Sequence, residues 1–400
     1  MPENKPTILV CASTFPRWKN DTEPGFIYEL CTGLKEEFNI IVLTSHYCGA
    51  EKHEIMNGLE IYRYRYSLPQ FETLVYNGGI VTNLKKNPWK YLLLPPFLIA
   101  QLFWILKLIY HHPASVIHAH WIIPQGFLSL LALRISNKPI KILCTSHGSD
   151  LFGLNDPLSS KLKRWVLKNV NIVTVVSRAM FDTVKKIAPE TQSAPLIAPM
   201  GTDLKQTFYA NHKIARKDNI LLYTGRLVDN KGIDLLIRSI PVIKQQFPSI
   251  TLKIVGDGPK RASLQELARQ LNIEKNVIFF GSIKHENLAK FYSEATLAVF
   301  PFQKAQGFGL VLVEALGCAC PVIVSDVPAI HDIITNKQTG LIVPVNNIDI
   351  LIDKIIWSLN NPEQLKTFAV NGRMHVLNNF DWEIIHQKYI KLLTSLTIPE

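Results

Sequence analysis

Two successive series of strand-like and helix-like segments, one after the other, constrain this chain more than any other feature. Short β-branched runs at residues 7–12, 40–44, 59–64, 115–119, 140–146, 171–176 and 196–199 make up the first series. A polar stretch, residues 212–219, interrupts it, and a second series follows at 220–223, 250–255, 277–280, 297–301, 322–325 and 340–343. Between these runs, segments such as 233–246 and 262–271 carry apolar residues at helical spacing. Two βα series in one chain imply an α/β fold of two doubly wound, mainly parallel-sheet domains, with the boundary near residues 205–218. In open sheets of this kind the ligand sits beyond the carboxyl ends of the strands, so it is expected in a cleft across which the two domains face each other.

Composition agrees with that size. The chain has 400 residues, 47% hydrophobic and 19% charged, enough for packed cores and unlike disordered, collagenous or coiled-coil sequences. Lys and Arg number 43 against 32 Asp and Glu, a formal charge of +11 that points to an anionic partner: nucleic acid, a membrane surface or a phosphorylated ligand. No nucleic-acid-binding signature accompanies the charge, so nucleic acid is not expected. Six cysteines (Cys11, Cys31, Cys48, Cys144, Cys318 and Cys320) include no CxxC pair, which fits a reducing, cytoplasmic setting. The polar start runs directly into the first strand without a signal-peptide pattern.

Residues 91–110, YLLLPPFLIAQLFWILKLIY, are long and apolar enough for a membrane span. Pro95-Pro96 interrupts the run, and the segment lies between strands of one sheet, so a packed helix or an in-plane membrane contact fits better than a span. From Ile61 to Lys141 the basic residues Arg63, Arg65, Lys85, Lys86, Lys90, Lys107, Arg134, Lys138 and Lys141 face a single acid, Glu72, with aromatics interleaved. That mixture suits an anionic bilayer surface.

The second half holds the densest chemistry. After the run at 220–223 come Gly225-Arg226-Leu227 and then Lys231-Gly232 opening a helix. The glycine lets backbone approach a ligand, and Arg226 and Lys231 suit a diphosphate at a helix start; a tight turn with two solvated cations is the plainer reading. Gly256-Asp257-Gly258-Pro259 follows the run at 250–255 and is either a second ligand loop or a tight βα turn. In Gln306-Gly307-Phe308-Gly309-Leu310 the glycines free backbone N–H groups at a helix start to face an anion. Glu314 then sits among Val311, Leu312, Val313, Ala315 and Leu316, where a carboxylate is costly without a partner: ribose hydroxyls, or a structural ion pair. In the first half, His118-Ala119-His120-Trp121 and His147-Gly148-Ser149-Asp150 each follow a strand. A histidine in such a place packs more often than it reacts. The loop at 15–26 is long enough to close over a ligand and ends at Gly25 before a helix.

Taken together these motifs resemble the family-4 retaining glycosyltransferases, whose two-Rossmann architecture is called GT-B. The resemblance spans nearly the whole chain. It includes the FPRW loop, HAHW, HGSD, Pro199-Met200-Gly201-Thr202-Asp203, GRL with its following KG, GDGP, the QGFGLVLVEAL block, Cys320-Pro321-Val322, Thr339 to Pro344, and Phe380-Asp381-Trp382. It implies an N-terminal acceptor domain, 1–205, joined by a crossing helix, 380–400, and a nucleotide-sugar domain, 206–379. The implied reaction moves a sugar, with retention and without a required metal or other cofactor, from a nucleotide diphosphate sugar (UDP- or GDP-sugar) to a lipid-linked or glycan acceptor. The implied setting is the cytoplasmic face of the membrane, as in lipopolysaccharide or other surface-polysaccharide synthesis.

By the same resemblance, Arg226 and Lys231 neutralise the leaving diphosphate, Glu314 holds the ribose, and backbone at Phe308, Gly309 and Leu310 contacts sugar and phosphate. Ile283 reads the base, Gly25 approaches the diphosphate, and His147 hydrogen-bonds the sugar near the reacting carbon. Gly225, Asp257, Gly258 and Gly307 complete the donor loops. The leaving phosphate oxygen itself takes the acceptor proton. One position departs: the family has glutamate where this chain has Gln306, which keeps an acceptor but loses the charge. That departure motivates an alternative, a weakened nucleotide-sugar-binding scaffold.

Overall fold

The computed structural model describes residues 5–19, 21, 25–76, 78–153, 156–191, 193–211, 213–304 and 306–398. Residues 20 and 22–24 of the loop at 15–26, and His212, lie outside the described residues. The chain divides into two compact units, Met1–Met200 with Ile385–Glu400, and Gly201–Ile384. The division falls a few residues before position 205. Thr202 bridges to Asp381, and Leu204 N donates to Asp381 Oδ2 at 3.2 Å, which ties the start of the connecting segment to the second unit.

The first unit is an eight-stranded sheet. Its strands are β1 (Thr7–Cys11), β2 (Asn39–Ser45), β3 (His53–Met56), β4 (Leu59–Tyr64), β5 (Ala114–His120), β6 (Lys141–Ser146), β7 (Ile172–Val175) and β8 (Leu196–Ile197), in the order β3-β4-β2-β1-β5-β6-β7-β8. All pairs are parallel except β3 on β4. β1 is buried at every position because helices cover both of its faces, which is why it reads as a continuous apolar run. The antiparallel edge strand β3 escaped the sequence reading for the opposite reason: of His53, Glu54, Ile55 and Met56, only Met56 is buried.

The second unit is a six-stranded, all-parallel sheet: β9 (Ile220–Thr224), β10 (Thr251–Val255), β11 (Val277–Gly281), β12 (Leu297–Phe300), β13 (Val322–Ser325) and β14 (Leu341–Val343), ordered β11-β10-β9-β12-β13-β14. The helix Ile233–Gln246 buries Ile233, Leu236, Ile237, Ile240 and Ile243, one stripe at helical spacing. In this unit the strand order reverses between β9 and β12, and in the first unit between β1 and β5. A doubly wound sheet opens a crevice where its order reverses, at the carboxyl ends of the strands.

Residues 91–110 form a packed helix. A short 3-10 turn, Pro88–Leu93, leads into the helix Leu94–His111, with Pro at its first turn, where no N–H is needed. Phe97 packs 5.5 Å from the Tyr64 ring and 5.3 Å from the Tyr66 ring, and Gln101 Oε1 accepts from Tyr64 Oη at 3.3 Å. By length and composition Pro88–His111 is also apolar enough to cross a membrane.

The last helix, Trp382–Thr397, contributes to the first unit from Ile385 onward. Tyr389 Oη donates to Ala198 O at 3.1 Å, and the His386 ring lies where a side chain at Gly33 would have to be.

Candidate active site

In the second unit, the carboxyl ends of β9 and β12 deliver two segments to the crevice. Leu227 N donates to Asp257 O at 3.0 Å and Lys260 N to Leu227 O at 3.1 Å, so the GDGP loop braces the GRL loop from behind. Gly256 is needed for that fit: a Cβ there would lie 2.0 Å from Gly225 O, at a φ of +135°. Asp257 is exposed and accepts from Gly258 N at 2.7 Å and from Arg261 Nη1 at 3.0 Å. These contacts hold the GDGP loop against the GRL loop.

Lys231 closes the 3-10 turn that precedes Ile233–Gln246. Its ammonium lies 4.7 Å from the centre of the Phe302 ring and donates to Gln306 Oε1 at 2.6 Å, while Gln306 Nε2 donates to Lys304 O at 2.7 Å. Both ends of the Gln306 amide are thus engaged. Burial, and then the nearby positive charge of Arg226, lower the Lys231 pKa to about 8. Arg226 itself is exposed, and among the described residues neither cation has a carboxylate within ion-pair distance. Two neighbouring cations without a counter-ion leave this corner of the crevice short of negative charge.

The QGFG segment follows. Gly309 precedes the helix Leu310–Gly317, and Phe308 is buried with its ring 5.2 Å from Phe380. On that helix Glu314 is buried and fully engaged: Oε1 meets His285 Nε2 at 2.8 Å, and Oε2 accepts from Tyr292 Oη at 3.0 Å. Tyr292 Oη in turn lies 2.6 Å from Thr224 Oγ1, at the end of β9. His285 is about half exposed, so one of the carboxylate's partners is open to exchange with a ligand. Ile283 lies two residues before His285, in the loop after β11.

Tyr292, His285 and Phe302 also belong to the site, and no motif in the sequence marks them. Tyr292 and His285 come from the connection between β11 and β12, and Phe302 from the segment after β12. No spacing signal relates them to Glu314 or Lys231; strand order brings them together.

The first unit carries its own cluster. β5 brings His118 and His120, and His147 follows directly on the end of β6. His120 Nδ1 and His147 Nε2 lie 2.9 Å apart with rings stacked, and Phe26 and Trp121 flank His147 at 5.0 and 5.1 Å. This enclosure lowers the His147 pKa, and burial does the same for His118 and His120, so all three are neutral at pH 7. Separately, His118 Nε2 lies 2.8 Å from Thr145 Oγ1, and Thr145 Oγ1 lies 2.6 Å from Thr174 Oγ1. Because one nitrogen of the His120–His147 contact must carry the proton, the tautomers of the two rings are coupled. Asp150 of the HGSD segment is structural: it accepts from Ile122 N at 2.7 Å and Ser146 Oγ at 2.8 Å.

Gly25 caps the helix Phe26–Leu34 with an ordinary φ of −86°, and among the described residues a Cβ there would meet only Glu29 Oε1, at 3.9 Å. Backbone geometry and packing therefore do not demand glycine at this position, which leaves room for a ligand to approach.

Two doubly wound sheets, one bearing an unneutralised cation pair at its switch point, define a GT-B protein of the kind that handles nucleotide sugars. The chain belongs to glycosyltransferase family 4: residues 26–205 match the Glycosyltransferase Family 4 profile, and residues 205–375 match that of Glycosyl transferases group 1. It is an enzyme of the hexosyltransferase type. N-acetyl-alpha-D-glucosaminyl L-malate synthase of Bacillus anthracis is 25% identical over 340 residues, covering 83% of this chain and 88% of the relative. The GDP-mannose-dependent alpha-(1-6)-phosphatidylinositol monomannoside mannosyltransferase of Mycolicibacterium smegmatis is 25% identical over 304 residues, 72% of this chain and 78% of the relative. Among solved structures, sucrose-phosphate synthase from Thermosynechococcus elongatus superposes with a TM-score of 0.78 at 24% identity, over 98% of this chain and 99% of the other. Anabaena HepE in complex with UDP superposes with a TM-score of 0.73 at 14% identity, over 97% and 100%.

Proposed function

We infer that this glycosyltransferase moves a hexosyl group, with retention, from a UDP- or GDP-sugar to a lipid-linked glycan acceptor at the cytoplasmic face of a membrane. The observation that carries the donor half is the pair Arg226 and Lys231, two cations at a switch point with no carboxylate neutralising them among the described residues. A diphosphate supplies the missing charge. As the bond to the anomeric carbon breaks, charge grows on the leaving phosphate, and a preorganised guanidinium and ammonium stabilise that growth without reorganisation.

Glu314 accepts from the ribose hydroxyls in place of His285, and backbone at Gly307, Phe308, Gly309 and Leu310 meets the sugar and phosphate. Ile283 borders the base, with Gly225, Asp257 and Gly258 holding the loop that carries Arg226. In the first unit Gly25 leaves room for the diphosphate, and neutral His147 hydrogen-bonds the sugar. The leaving phosphate oxygen accepts the acceptor's proton, so no side-chain base is required. No metal takes part in this account, because Arg226 and Lys231 perform the charge neutralisation. The lipid-linked acceptor and the membrane face rest on the basic, aromatic region of the first unit, and two of the similar proteins carry phosphatidylinositol mannosides in their names.

A pH dependence follows from Lys231. Below a pKa of about 8 it is charged and the diphosphate finds its partner, so affinity for UDP or GDP falls as pH rises above that value. The free protein behaves in the opposite sense. Its lysine pKa is depressed relative to the unfolded chain, so folding gains stability as pH climbs from about 8, where the buried ammonium loses its proton, towards 10.5, where the unfolded chain's lysine does. Nucleotide titrations and melting curves run on either side of pH 8 check both signs.

A thermal-shift panel of UDP-, GDP- and ADP-sugars, run on the native protein and on Gln306→Glu, tests the donor assignment. A ligand bound to the folded state raises the melting temperature by mass action. A shift of the native protein with a UDP- or GDP-sugar supports the reading and names the base. A shift confined to Gln306→Glu sinks it in favour of a scaffold whose Gln306 has cost the site its donor.

A further inference from the structure

The helix Leu94–His111 has two sides, and the site described above uses neither. Its inward side, Leu93, Phe97, Gln101, Ile105 and Leu108, is buried against the first unit. Its outward side exposes Ile99 by 68%, Phe103 by 59% and Tyr110 by 77%, and Leu92 of the preceding 3-10 turn, 79% exposed, extends the same line. Single exposed apolar residues are ordinary, but a stripe of about 27 Å along a helix and the turn that leads into it is not. At the amino end, exposed Trp89 packs against exposed Phe71 with ring centres 6.1 Å apart and lengthens the stripe.

Charge accompanies it. Lys85 and Lys86 are exposed at the end of the preceding helix, Ile80–Lys86. Lys107 is exposed on the helix itself, its ammonium 4.6 Å from the Trp104 ring centre. Between Glu72 and Asp150 the sequence contains no Asp or Glu at all. Three residues of the basic count do not belong to this surface. Lys90 is buried and donates to Thr73 O at 2.8 Å, Arg63 is buried against Glu54 at 2.6 Å, and Arg65 Nε lies 3.4 Å from Glu72 Oε1.

We propose that this face lies flat on an anionic lipid bilayer, with Leu92, Ile99 and Phe103 in the acyl boundary and Lys85, Lys86 and Lys107 among the headgroups. The proposal rests on the reading of a lipid-linked acceptor and gives that reading a surface. A helix that crossed the bilayer would strip Phe97, Gln101, Ile105 and Leu108 from the sheet they pack on, so the packed inward side favours the in-plane position. A second copy of this chain is a poor occupant, because a two-fold contact would oppose the two sets of lysines with no acid in the stretch to offset them. Phosphate headgroups supply the complementary charge, and an aromatic and basic apolar face is the composition that settles at a bilayer interface.

The test is co-sedimentation of the full chain with vesicles of phosphatidylcholine alone and with vesicles also containing phosphatidylglycerol. The proposal expects binding to the second kind, weakening as salt is raised. It expects about a tenfold or greater loss of affinity in Phe103→Ser and Ile99→Ser, and about a fivefold loss for each of Lys85→Ala and Lys86→Ala. All four positions are solvent-exposed, so melting temperatures should stay near that of the native protein. Failure of the native protein to bind overturns the proposal, as does binding left unchanged by Phe103→Ser and Ile99→Ser. So does a native dimer that those two substitutions dissociate. The nucleotide panel keeps the two readings separate. Vesicle binding without any nucleotide shift removes the donor reading and leaves the surface standing; a nucleotide shift without vesicle binding removes the surface alone.

Discussion

Lys231→Ala is expected to lower kcat/KM for the nucleotide sugar by roughly 10²–10³-fold, the range seen when one preorganised donor to a developing anion is removed. The ammonium donates to Gln306 Oε1 at 2.6 Å and shares its corner with Arg226, so its loss halves the positive charge facing the diphosphate. Stability should not fall in step. Burial already works against the charged form of this lysine, so the variant should melt at or near the native temperature. Steady-state kinetics beside a melting curve separates the two effects. A variant that loses activity only as far as it loses folded protein would remove Lys231 from the chemistry.

Glu314→Ala is the second substitution with a large expected effect, and it acts on both quantities. The carboxylate holds His285 Nε2 at 2.8 Å and Tyr292 Oη at 3.0 Å inside the core. Tyr292 keeps Thr224 as a partner, and half-exposed His285 can turn to water, so the loss of stability should be about 1–3 kcal/mol rather than more. For a unit of this size that is roughly 2–4 °C per kcal/mol. If the carboxylate also accepts from ribose, nucleoside diphosphate affinity should fall by a further 10–100-fold, the value of about 1.5–3 kcal/mol for hydrogen bonds to a charged group. Glu314→Gln keeps one acceptor and should be intermediate in both. Unchanged nucleotide affinity in a destabilised Glu314→Ala would leave the residue as a purely structural ion-pair partner of His285.

The sheets were legible because parallel strands covered on both faces read as continuous apolar runs, as β1 and β12 do. β3 was not legible, since an edge strand exposing His53, Ile55 and part of Glu54 has no core pattern to reveal. Gln306 and Lys231 stood out in sequence as polar residues beside glycines at helix starts, and the structure brings them into contact. The partners of Glu314 did not stand out. Tyr292 lies on the short helix Leu288–Glu294 and His285 on the turn before it, and only the β11-to-β12 crossover carries them to β9 and Glu314. The basic count over residues 61–141 misled in a specific way. Arg63 and Lys90 have apolar neighbours in sequence and look like surface cations, yet both are buried on backbone carbonyls. Charge in sequence does not reveal whether a long side chain points outward or reaches inward for an acceptor.

We propose that the second unit takes a nucleoside diphosphate on Arg226 and Lys231. Calorimetric titration of UDP and of GDP into the native protein and into Lys231→Ala, at a pH below 8, tests it most directly. One of the two nucleotides is expected to bind the native protein and to bind the variant at least about tenfold more weakly, as the loss of one charge-assisted contact requires. Equal affinity in both proteins, or no binding of either nucleotide to the native chain, would contradict it.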